Sequence, residues 1–193
     1  MDRRIFLKSA VAGSALPLAY TMLQSGEALH ALAAQSNSTT PTPVPAMKIV
    51  IAADPLSLAL KDELLAHIKE KGHNVADVGN EVPYYEGAQI ACKMLQNGEA
   101  ERAILLCGTG MGMSVIANRF KGVVASVVES VFAAKMCRAV NNANALCLGS
   151  MIWGDWMAKE AVDAFLETTF TQGLDGFADY LRETEKKVEA IRP

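Results

Sequence analysis

Short apolar runs alternate with amphipathic stretches along most of this chain. Lys48 to Ala52 (KIVIA) is apolar and rich in β-branched residues, which predicts a buried parallel strand. From Leu56 to Lys71, apolar residues recur at 56, 60, 64, 65 and 68, the spacing of one helix face, and Gly72 is a natural stop. The same reading predicts further strands at Val75 to Val78, Ala103 to Cys107, Val123 to Val128 and Ala145 to Leu148. Between and after them it predicts helices at Tyr85 to Gln96, 113–119, Ser130 to Val140, about Trp153 to Glu167 and about Asp175 to Ile191. Regular alternation of this kind gives an α/β fold, a parallel sheet with helices on both faces. Right-handed crossovers then line up the C-terminal ends of the strands along one edge, where ligands bind.

The pattern is absent from the first 46 residues. Arg3-Arg4 followed by Phe6-Leu7-Lys8 resembles a twin-arginine export signal. The apolar stretch from Ala10 to Leu23 is broken by Gly13, Ser14 and Pro17. It falls short of the roughly 20 apolar residues of a membrane span. Ala31-Leu32-Ala33 is a small-x-small cleavage site. Residues 35–46 are rich in Ser, Thr and Pro, a composition that makes a linker and not a core. The expected organisation is an export signal over 1–34, a linker over 35–46 and one α/β domain over 47–193. The protein is then periplasmic or otherwise exported, with no stable membrane span after cleavage.

Composition narrows the chemistry. The 193 residues are 51% hydrophobic and 20% charged, ordinary for a globular chain, which excludes a disordered one. Eighteen basic against 21 acidic side chains leave no basic surplus for nucleic acid. Four scattered cysteines form neither a CxxC pair nor a zinc set. Cys92, Cys137 and Cys147 read as small core residues. Nine methionines without clustered histidines read as packing and not as a soft-metal site. No metal and no cofactor is implied.

The strongest local signal follows the third predicted strand. Cys107-Gly108-Thr109-Gly110-Met111-Gly112-Met113-Ser114 joins a strand end to a helix start. Glycines let backbone amides approach an anionic group, and a helix N-terminus adds positive potential. The turn lacks the Gly-Lys-Ser/Thr of a phosphate-binding loop and the spacing of a dinucleotide site. Two readings stay open on spacing alone: an oxyanion cradle with a thiol at its lip, or a tight turn with a buried strand-end cysteine.

From Met47 to about Phe170 the chain resembles ribose-5-phosphate isomerase B and galactose-6-phosphate isomerase. The residues that carry the likeness are Met47-Lys48-Ile49 with Asp54, Gly98 to Arg102, the loop Cys107 to Asn118, and Asn141-Asn142-Ala143-Asn144 leading into Ala145 to Gly149. The resemblance implies a Rossmann-like three-layer sandwich on a five-stranded parallel sheet. It implies cofactor-free aldose–ketose isomerisation of a sugar or sugar-like substrate. It also implies a homodimer or dimer of dimers whose active sites are shared across the interface. Cys107 matches the family's catalytic base, a role that suits a thiolate favoured by the local field. Thr109 and the amides of Gly108, Gly110, Met111 and Gly112 match the groups that stabilise the enediolate oxygens. Asp54 matches a substrate-contacting carboxylate, Tyr84 a sugar-facing tyrosine, and Asn141 an amide supplied by the neighbouring subunit. As ordinary structure, Asp54 would be a solvated helix cap and Tyr84 a packing residue.

Several family positions are changed. Pro55 and Val140 stand where the family has histidines, the second used for ring opening. Met151, Leu174 and about Ala178 stand where it has arginines. Those three arginines and the histidine at position 55 normally hold the substrate phosphate. A phosphate without cations is disfavoured by several kcal/mol, so the expectation is an unphosphorylated substrate. Arg119, Lys121, Arg138 and Arg182 are the cations that could replace the clamp, and Glu129 the acid that could replace the histidine. Trp153 and Trp156 either stack on a sugar or pack the start of a helix. A non-catalytic sugar-binding protein on the same fold is the alternative function. A redox role, pairing Cys107 with Cys137 or Cys147, is a third.

Overall fold

The computed structural model describes residues 45–191. The expected export signal, and the linker up to its last two residues, lie outside them. Five strands form one sheet: β1 Lys48–Ala53, β2 Asn74–Asp77, β3 Arg102–Cys107, β4 Ala125–Val127 and β5 Ala145–Gly149. All neighbours are parallel, in the order β2-β1-β3-β5-β4. The helices are α1 Leu58–Glu70, α2 Tyr84–Gln96, α3 Met111–Ala117, α4 Val131–Asn141, α5 Asp155–Glu167 and α6 Ala178–Glu189. One-turn 3-10 segments at Pro55–Ser57 and Asp175–Phe177 precede α1 and α6. Among the described residues no helix is long and apolar enough to cross a membrane.

Alternation along the strands sorts the core into two layers. Ile49, Ile51, Ile104, Leu106, Leu146 and Leu148 pack against α1, α4 and α5. Val50, Ala52, Leu105, Cys107 and Cys147 turn to the other face, against α2 and α3. The sandwich is therefore three layers deep, as the resemblance implies. From β1 the chain leaves over one face into α1, and from β3 it leaves over the other into α3. The strand order changes direction between these two neighbours, so a crevice opens above their C-terminal ends. Asp54 ends β1 there, and Cys107 ends β3.

Several boundaries differ from the sequence reading, each for a local reason. The first helix starts at Leu58 and not at Leu56, because Asp54 caps a 3-10 turn opened by Pro55. The helix after the glycine loop starts at Met111, since Gly110 turns the chain with φ +74°. That helix ends at Ala117 because the side chain of Asn118 bonds both the N–H and the C=O of Ala125. The same clasp, with Asn144 Oδ1 accepting from Val124 N at 2.8 Å, leaves β4 only three residues long. Trp153 precedes α5 and does not begin it, its indole donating to Val128 O at 3.0 Å.

Candidate active site

The Cys107 loop is built by close backbone contact. Parallel pairing sets Cys107 opposite Gly149, and Ser150 N donates to Cys107 O at 3.0 Å. A methyl group on Gly149 would lie 2.7 Å from Thr109 Cα, and one on Gly110 would lie 3.0 Å from the Leu148 carbonyl carbon. Only glycine permits this approach of loop to strand. The loop therefore arches over the end of β5 and comes back down into α3.

This path aims an amide at the thiol. Gly110 N donates to Cys107 Sγ at 3.2 Å. An N–H directed at sulfur stabilises negative charge on it more than it stabilises the neutral thiol. Thr109 is exposed, and its Oγ1 accepts a long bond from Met111 N at 3.4 Å. Cys107 is 6% exposed and sits at the top of the apolar layer under α2 and α3. The other cysteines are buried and free. Burial pushes Cys92 and Cys137 up to about 11 and Cys147 well above the usual thiol range.

Asp54 stands at the neighbouring strand end, its N–H donating to Leu106 O at 3.0 Å. Its Oδ1 accepts from Leu56 N and Ser57 Oγ, both at 3.1 Å. Tyr84 opens α2, half-exposed, with its ring so close to Gly112 that a methyl there would lie 2.9 Å from Cε2. Leu56 and Met151, both largely exposed, border Gly108. The side chains nearest the loop glycines are thus apolar or aromatic.

Asp54, Tyr84, Cys107, Thr109 and the amides of 108–112 converge within one chain. Asn141 does not join them. It lies at the end of α4, in a hollow of about 440 Å³ with Val127, Phe132, Met136 and Val140. Arg138 is buried and bonded to Asn142 Oδ1, Ala143 O and Thr168 O. Arg182 pairs with Asp179. Arg119 and Lys121 follow the C-terminal end of α3, away from the Gly110 cap. Glu129 is exposed before α4. Trp153 is core, and Trp156 lies in a hollow of about 610 Å³ between α1 and α5 with Glu63, His67 and Lys159, so neither borders the loop. Sequence reasoning missed Ser57 and Ser150, whose hydroxyls meet at 2.8 Å across 93 positions. No spacing rule brings them together; the strand order does.

The sequence profile of the Ribose/Galactose Isomerase family matches residues 49–178, which hold Asp54, Tyr84, Cys107, Thr109 and the glycine loop. The chain belongs to that family. Among its relatives is the 4-deoxy-4-sulfo-D-erythrose isomerase of Clostridium sp. (strain MSTE9), 42% identical over 75% of this chain and 95% of the relative. Ribose-5-phosphate isomerase B of Escherichia coli (strain K12) is 36% identical over 75% of this chain and 93% of its own. The crystal structure of the Thermotoga maritima ribose 5-phosphate isomerase superposes with a TM-score of 0.68 at 34% identity, covering 75% of this chain and 99% of that one. The family's sandwich and parallel sheet are those described above.

Proposed function

We propose that this member of the family is an aldose–ketose isomerase in which Cys107 carries the proton. The thiolate takes the C2 proton of an open-chain aldose, leaving a cis-enediolate. The O2 hydroxyl proton passes to O1 as the resulting thiol returns its proton to C1, which gives the ketose. Thr109 and the amides of 108–112 stabilise negative charge on the two oxygens, and Asp54 and Tyr84 orient the sugar hydroxyls. The observation that carries this reading is the Gly110 amide aimed at Cys107 Sγ at the mouth of the β1–β3 crevice.

The substrate we assign is a short sugar whose far end is not a phosphate. Leu56 and Met151 border Gly108, and the four cations that could rebuild a clamp are turned to other partners or other parts of the fold. A phosphate carries about −1.5 to −2 charge at neutral pH, whereas a sulfonate carries a single charge and needs fewer cations. The relative named for a sulfo-tetrose supports a sulfonate end. We further propose a homodimer or dimer of dimers in which Asn141 reaches the neighbouring subunit's loop. The Arg3-Arg4 leader supports export, where phosphorylated sugars are scarce.

The test is a panel of four- and five-carbon aldoses ending in hydroxyl, sulfonate or phosphate, with ketose formation followed by NMR. The reading expects conversion of the hydroxyl- or sulfonate-ended sugars ahead of the phosphates. Preference for phosphates overturns the substrate class. Ligand-induced thermal stabilisation with no conversion would make the protein a sugar-binding protein.

A further inference from the structure

The two serines outside the expected site form a clasp under Asp54. Ser57 is 1% exposed and closes the 3-10 turn after β1. Its Oγ lies 3.1 Å from Asp54 Oδ1 and 2.8 Å from Ser150 Oγ. Ser150 follows β5; its N–H donates to Cys107 O at 3.0 Å, and its Oγ lies 3.3 Å from Leu56 O. One residue thus holds the backbone of the cysteine and, through a hydroxyl, the carboxylate beside it.

Proton counting gives the chain a direction. An ionised carboxylate only accepts, and each serine has one O–H. Ser57 therefore donates to Asp54, and the single O–H of Ser150 is shared between Ser57 Oγ at 2.8 Å and Leu56 O at 3.3 Å, the shorter contact favouring Ser57. Leu56 N fills a second position on the same oxygen, Oδ1. Asp54 Oδ2 has no hydrogen-bond partner among the described residues. A carboxylate held on one oxygen by two donors keeps its orientation at the end of β1, where an unfixed one would rotate.

We infer that Ser57 and Ser150 are positioning residues that lock Asp54 for substrate through the directed chain Ser150 to Ser57 to Asp54. The inference rests on the proposed role of Asp54 in holding a sugar hydroxyl. Neither serine touches the substrate, so their effect runs through the carboxylate and falls mainly on KM.

A double-mutant cycle tests it. Ser150→Ala and Ser57→Ala are each measured in the wild type and in Asp54→Asn, with kcat and KM determined separately. Ser150→Thr keeps a hydroxyl and serves as the conservative control. The expected result is a KM about tenfold higher for each alanine variant, the size of one charge-assisted hydrogen bond. Ser150→Thr should recover most of it, and neither alanine should cost more once Asp54 is Asn. Equal losses in both backgrounds, with a lowered melting temperature, would make the serines structural and overturn the inference while leaving the isomerase reading intact. A wild type with no Cys107-dependent turnover overturns both, and the wild-type arm alone reports that.

Discussion

Gly149 lies against Thr109 so closely that a single added methyl would come within 2.7 Å of the threonine Cα. The contact is backbone to backbone, so no side chain can swing aside to relieve it. Gly149→Ala is expected to push the loop off β5 and to spoil the amides of 108–112 as an oxyanion cradle. Overpacking of this kind costs about 1–3 kcal/mol. Thermal unfolding should show that loss, and kcat should fall further than KM rises. An alanine variant with wild-type kcat would show that the close approach is not needed for turnover.

Cys107 and Cys137 are equally buried, 6% exposed each, but their sulfurs are bonded differently. Cys107 Sγ accepts from Gly110 N, which suits a thiolate. Cys137 Sγ donates to Ala134 O at 3.1 Å, which requires the proton, and burial pushes it up to about 11. Alkylation at pH 8 should therefore modify Cys107 first and leave Cys92, Cys137 and Cys147 nearly untouched. Peptide mass mapping reads the order. Equal labelling of Cys107 and Cys137 would remove the electrostatic distinction between them.

Lys61 is sealed in the fold and bonds both oxygens of Asp77 at 2.8 and 2.9 Å, with Gly79 O and Asn80 Oδ1 completing its shell. Burial by itself would push the Asp77 carboxyl up. The Lys61 ammonium and the Gly79 amide outweigh it and hold the group below the usual carboxylate value. Because the folded value is depressed, the stabilisation is present above the unfolded pKa, about 3.9, and disappears as pH falls through the folded one. The two partners are also unequal. Asp77→Ala leaves a buried ammonium and should cost about 3 kcal/mol. Lys61→Met leaves a carboxylate that water still reaches and should cost about 1 kcal/mol. Urea unfolding at pH 7 and pH 3 measures both, and Lys61→Met should flatten the acid-induced loss.

Tyr84 owes its place beside the loop to the missing side chain at Gly112. The ring is half-exposed and can move, so Gly112→Ala should displace it at little cost in stability. If Tyr84 faces the sugar, Gly112→Ala and Tyr84→Ala should raise KM by similar, several-fold amounts, and the double variant should do no worse than either. Independent effects would separate the tyrosine from the substrate.

Much of this arrangement is written locally in the sequence. The runs around Ile49, Ile104 and Leu146 are strands because they are apolar on both faces, and the glycine loop is legible because glycine alone allows the approach to β5. Errors fall where a side chain outbids the backbone ladder. Asn118 and Asn144 take the hydrogen bonds at the start of β4, and Asp54 turns the first helical turn into a cap. Apolar spacing does not register such contacts. The Ser57–Ser150 pair is less legible still, because 93 positions and the sheet order stand between the two hydroxyls. The tryptophans show the reverse: an aromatic near a glycine-rich site reads as a sugar platform, yet Trp153 is tied to Val128 O and Trp156 faces another hollow.

Hydrogen exchange at C2 tests the sulfur most directly. A hydroxyl- or sulfonate-ended four-carbon aldose is incubated in D2O with the wild type, Cys107→Ser and Cys107→Ala, and deuterium at C2 is followed by NMR. The account predicts incorporation with the wild type and loss of at least about 100-fold with either variant, the size of general base catalysis, while both variants stay folded. Exchange at the wild-type rate in Cys107→Ala would contradict it and move the base to another residue.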